Sequence, residues 1–72
     1  MLMEWIQLYL LPFMVLKHPN KRHSVYELKH IAEKSIGRYV SQLELQEALH
    51  ECGYPVSQHY PISEHFFKEV SL

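Results

Sequence analysis

The chain has 72 residues, a formal charge of -1 with its six histidines neutral, and apolar or aromatic side chains at 47% of positions. That describes one domain at most, too apolar for a disordered tail and without the basicity that draws a whole protein to nucleic acid or anionic lipid. The single cysteine, Cys52, excludes an internal disulfide, so nothing implies an oxidising compartment and a cytoplasmic location is expected.

Residues 1–17 form an apolar segment, expected to be helical. It does not read as a targeting peptide: no basic region precedes it, no small-residue cleavage site follows, and Glu4 and Gln7 interrupt it. It is also shorter than the ~20 residues of a spanning helix. Trp5, Leu8, Tyr9 and Pro12 fall near one helical face and Ile6, Leu10 and Phe13 near another, which predicts burial on more than one side. A dimer seam or shallow membrane contact is the alternative use of such a surface. Pro12 lacks a donor and crowds the preceding turn, so a helix over residues 3–11 should end or kink there. Residues 18–23, HPNKRH, are a polar, proline-containing linker.

Residues 24–53 carry two capped helices. Ser24 and Glu27 form the S-x-x-E capping box, each bonding the other's amide, and Val25, Leu28, Ile31 and Ala32 follow at helical spacing while Lys29, His30 and Glu33 face elsewhere. Gly37 suits the left-handed position past the helix end. RYV (38–40) is an extended link or a one-rung strand. Ser41 and Glu44 repeat the box; Leu45, Ala48, Leu49 and Cys52 form one apolar stripe, and Gly53 supplies the stop. In the tail, 54–72, Tyr54–Val56 and Tyr60–Ile62 are expected to pair as a hairpin or extended pair across SQH. Ser63 then caps a short helix that buries Phe66, Phe67 and Val70. The fold class is mainly α, or small α+β: a three-helix or winged-helix-like domain with a short C-terminal hairpin.

Within 23–54 the residues His23, Ser24, Tyr26, Leu28, Lys29, His30 and Glu33, then Gly37, Tyr39, Val40 and Ser41, and finally Ala48, Gly53 and Tyr54 form a pattern, H-S-x-Y-x-L-K-H-x-x-E … G-x-Y-V-S … G-Y. It resembles a group of small proteins from phages and mobile elements of Gram-positive bacteria. The resemblance covers less than two thirds of the chain and implies an origin more than an activity. Residues 1–17 lie outside it.

Helix, link, helix and hairpin also look like a winged helix-turn-helix, with residues 42–52 as the helix that would enter the major groove. The outward side chains of that helix would be Gln42, Glu44, Gln46, Glu47, His50 and Glu51. Phosphates repel three carboxylates unaccompanied by Lys or Arg, which is the wrong balance for counterion-releasing affinity. The cations lie elsewhere: Lys21 and Arg22 with Lys17 in and beside the linker, then Lys29, Lys34 and Arg38. They read first as a solvated face and second as a DNA-binding patch.

No constellation for catalysis or metal binding stands out. One cysteine on an apolar stripe does not build a zinc site, and it lacks an orienting third group for nucleophilic chemistry. Two glycines make no phosphate loop. The histidines titrate near ~6.5 and, scattered as they are, read as composition rather than as a sensor. His23 is expected to shape the start of its helix, and Tyr26 and Tyr39 to form a packed corner with polar tips.

The expectation is therefore a non-enzymatic protein-binding module without cofactor or metal, encoded by a phage or mobile element, that modulates or inhibits a host or phage protein. A nucleic-acid enzyme is one such target, since an acidic helix can occupy a basic groove meant for DNA. Glu44, Glu47, His50 and Glu51 are the first candidate contacts. Trp5, Tyr9 and Phe13 are a second surface or homodimer seam. The alternative is a small winged-helix regulator binding DNA through Lys21, Arg22, Lys29, Lys34 and Arg38.

Overall fold

Pro12 has no amide to extend the helical ladder of the first segment. In the computed structural model, which describes residues 1–70, helix α1 (Leu2–Trp5) passes directly into a π turn at Ile6–Leu10 and a 3-10 turn at Leu11–Phe13. The Leu11 amide reaches back five residues to the Ile6 carbonyl, the spacing of a π turn. An α-helical period would keep Tyr9 beside Trp5. The wider turn swings Tyr9 into water, where it is 59% exposed, and carries Leu10 under Ile6 into full burial. The expectation of burial on more than one side is thereby corrected. Leu2, Trp5, Ile6 and Leu10 face the core, while Met1, Leu8 and Tyr9 face solvent.

Helices α2 (Val25–Ile36) and α3 (Gln42–Glu51) start at their serines. The Ser24 hydroxyl accepts from the Glu27 amide at 3.3 Å and the Ser41 hydroxyl from the Glu44 amide at 3.0 Å. The return half of the first capping box is replaced, because the Glu27 carboxylate takes the Nδ1 of His23 at 2.9 Å instead. Val25, Leu28, Ile31 and Ala32 are buried, as are Leu45, Ala48 and Leu49, and Cys52 packs against the same core. Gly37 ends α2 at φ 86° with its amide 2.8 Å from the Glu33 carbonyl, the left-handed stop that a side chain would strain. Residues 38–40 are a link that is neither helix nor strand and that buries Val40.

The hairpin does not form, and no strand exists among the described residues. The segment around Tyr60 pairs with the linker and not with Tyr54–Val56. Amides of Leu16, Asn20 and Val25 donate to the carbonyls of Pro61, Tyr60 and Gln58 at 3.3, 2.9 and 2.8 Å, and the Ser63 amide donates to Phe13 at 2.8 Å. Pro55 and Pro61 have no amide to contribute to a ladder. The Tyr60 hydroxyl also accepts from the Ser57 amide at 3.2 Å, which holds the intervening loop. The winged-helix layout accordingly lacks its wing.

Ser63 does cap the last helix, α4 (Glu64–Glu69), by accepting from the His65 amide at 3.0 Å. Phe66 is its buried anchor, with Phe67 and Val70 half-buried beside it. Residues 71–72 of the tail lie outside the described residues. The fold is mainly α: the first three helical segments pack on one another, and the linker and tail run antiparallel across one end and set α4 on the core.

Candidate protein-binding surface

The inward stripe of α3 leaves its other faces to the surface. Glu47, His50 and Glu51 are exposed and line a shallow hollow of about 490 Å³ with Val56. Leu43, 61% exposed, stands on the same helix. Two neighbours depart from the outward set expected for α3. Gln46 is buried and its amide donates to the Ser57 carbonyl at 2.7 Å, tying α3 to the following loop. Glu44 accepts from Arg38 at 3.0 Å, and that guanidinium holds the carboxyl below its usual range. The acidic face that meets solvent is thus Glu47 and Glu51 with His50 between them, and Glu44 is partly neutralised.

The aromatic candidates separate. Trp5 is buried, edge-on to Phe66 at 6.4 Å, and Phe13 is half-buried, 5.4 Å from the same ring. Only Tyr9 reaches outward. It lies beside a hollow of about 280 Å³ lined by Trp5, Ser35, Phe66 and Val70. Leu8 and Met1 extend the apolar surface around a second hollow that Trp5, Tyr9 and Ser35 share.

The cations separate as well. Lys29 faces inward, a correction to its expected orientation. Its ammonium donates to Glu33 at 2.9 Å and to the Val40 carbonyl at 3.4 Å, lying 5.6 and 5.2 Å from the rings of Tyr26 and Tyr39. The Glu33 hydrogen bond raises the Lys29 pKa and lowers that of Glu33 in return. Tyr26 and Tyr39 are therefore not a packed corner; both rings are largely exposed and flank the lysine. Arg38 is engaged with Glu44 and the Tyr39 carbonyl, and Arg22 lies 3.9 Å from Glu64. Lys21 and Lys34 are exposed.

The linker holds a polar cluster, which composition alone did not single out. Asn20 is buried; its side-chain amide donates to the Ile62 carbonyl at 2.9 Å and to Glu64 at 3.0 Å, and its oxygen accepts from the Arg22 amide at 3.0 Å. Next to it His23 lies flat on Phe67, with ring centroids 3.6 Å apart and planes 8° from parallel. Nδ1 is 2.9 Å from Glu27 and Nε2 is 3.0 Å from Glu64. Burial pulls the His23 pKa down, but the hydrogen bonds to Glu27 and Glu64 outweigh it and hold the group above 6.5. Asn20 first and His23 second hold the Glu64 carboxyl low. For Asn20 the sequence sign is a proline beside it, which reads as a turn; partners forty-two residues away leave no local trace.

The Cys52 thiol sits 3.3 Å from the Met3 sulfur, and burial pushes its pKa up, the behaviour of a packed thiol rather than a nucleophile. Among the described residues no group of three or more His, Cys or acidic side chains is arranged to hold a metal, and no helix is long and apolar enough to cross a membrane. Comparison with models of known protein families, with curated proteins and with solved structures returns no match.

Proposed function

We propose that the chain is a protein-binding module whose exposed α3 face docks on a basic surface of another protein. The observation that carries this reading is the Glu47, His50 and Glu51 face, which meets solvent with Val56 and Leu43 at its side. Carboxylates around a small apolar centre suit a partner groove lined by Lys and Arg, where charge complementarity steers encounter and the apolar contacts hold it. A nucleic-acid enzyme offers such a groove. On this reading the chain modulates or inhibits its target by occupying that groove, as a phage or mobile-element protein that the pattern in residues 23–54 resembles. No step of the proposal uses a catalytic group.

DNA binding through Lys21, Arg22, Lys29, Lys34 and Arg38 draws less support. Lys29 is spent inside and Arg38 is paired with Glu44, while phosphate affinity needs several free cations on one track. The test is capture from host lysate by the wild type and by an E47K/E51K double variant, with binding to random duplex DNA measured in parallel at low salt. The proposal expects a partner held by the wild type and lost by the variant, with no DNA retained. Equal capture by both proteins, or DNA binding that falls steeply with added salt, overturns it.

A further inference from the structure

His23 presents both ring nitrogens to carboxylates that belong to different helices. Glu27 lies in the first turn of α2 and Glu64 begins α4, at 2.9 and 3.0 Å. A neutral imidazole carries one N–H and satisfies only one of them; an imidazolium satisfies both. The flat stack on Phe67 of α4 favours the cation as well. We propose that His23 is a protonation latch: its imidazolium ties α4 to α2, and loss of the proton releases α4, and Phe66 with it, from Trp5 and Phe13.

The charged surroundings support that direction. From the linker Arg22 reaches Glu64 only at 3.9 Å, and Asn20 contributes a neutral amide. From the tail loop His59 contacts the His23 carbonyl with Nδ1 at 3.0 Å and does not face the imidazole nitrogens. Within α4, His65 pairs with Glu69 at 3.0 Å on the exposed side. Once His23 is neutral, Glu27 and Glu64 face one ring with one proton between them. A helix of six residues does not persist without its tertiary contacts, so α4 is the element that gives way. The raised His23 pKa and the lowered Glu64 pKa set the sign: the latch is closed below the folded-state His23 value, opens as pH rises through it, and is lost again in acid when Glu64 takes a proton.

The test is a pH titration of the full chain by NMR. It follows the His23 ring signal together with amide exchange over residues 66–70, corrected for the intrinsic pH dependence of exchange. The expected result is loss of α4 protection above the His23 midpoint, along the same curve, unchanged in H65Q and absent in H23Q. Protection that stays level while His23 titrates, or that follows His59 or His65 instead, overturns the latch. Should H23Q not fold, E64Q decides: the His23 midpoint must fall and the loss of protection must move with it, and an unmoved midpoint overturns the proposal.

Discussion

The side-chain amide of Asn20 donates to the carbonyl of Ile62 across forty-two residues of sequence, from a buried position. This bond joins the linker to the start of α4, and the same amide also serves Glu64. Asn20→Ala leaves the Ile62 carbonyl and the Arg22 amide without their partner and is expected to cost about 1–3 kcal/mol. Asn20→Asp should be worse at neutral pH, since a carboxylate would face Glu64 and a carbonyl oxygen, and the gap between the variants should narrow toward acid. Urea denaturation at two pH values checks both; equal stability of Asn20→Ala and wild type contradicts the prediction.

The two members of the Lys29–Glu33 pair are not equivalent. Glu33 also accepts from the Val40 amide at 3.3 Å, so Glu33→Ala strands an inward ammonium and a backbone donor together. Lys29→Met takes the ammonium from beside Tyr26 and Tyr39 but leaves Glu33 its Val40 bond. The expected order of thermal stability is wild type first, then Lys29→Met, which leaves the Glu33 carboxylate without its cation, and Glu33→Ala lowest. Melting curves followed by circular dichroism give the order directly.

Phe66 touches both Trp5 and Phe13 and is 1% exposed. Phe66→Ala should cost about 3–5 kcal/mol, against a total stability of roughly 0.05–0.15 kcal/mol per residue for a natural domain. A large share of that margin is expected to be lost. Trp5 is the sole tryptophan and is buried, so its emission should move to the red in Phe66→Ala and stay in place in Tyr9→Ser.

Gly37 has open space where a Cβ would stand, so only its φ of 86° opposes substitution. Gly37→Ala is expected to cost about 1 kcal/mol, and Gly37→Asn less, because asparagine tolerates the left-handed region. Chemical denaturation of the two variants reads the difference.

Acid stability follows from three carboxylates. Lys29 holds the Glu33 pKa low, Arg38 that of Glu44, and Asn20 with His23 that of Glu64. A depressed folded-state value means stabilisation that is complete above the ordinary 4.5 and fades as pH falls through the folded values. Melting temperature should decline in that lower window. Arg38→Ala, which of the three carboxylates deprives Glu44 alone of its partner, should flatten part of the decline.

Most of the helical layout was legible because it is local. Ser24, Ser41 and Ser63 each mark a cap with a hydroxyl and an amide two or three residues away, and Gly37 and Gly53 mark the stops by their positive φ. What misled was non-local or a change of period. The π turn moved Tyr9 off the face that 3.6-residue spacing assigns it, and Gln46 turned inward to reach Ser57. The hairpin failed because the linker offered the tail a better set of donors than Tyr54–Val56 did. Of the candidate surface, Glu47, His50 and Glu51 could be anticipated from helical spacing. The pairing of Glu44 with Arg38 and the spending of Lys29 inside depend on how the 38–40 link folds back.

The antiparallel run of residues 13–25 along 58–63 has a consequence for how the protein is born. The side of the first segment that Phe66 covers stays open until that residue has been synthesised. Helix formation itself takes about 0.1–1 μs, whereas translation adds only about 5–20 residues each second. On a ribosome the pace of elongation therefore sets the least time that Trp5 stays without its Phe66 neighbour.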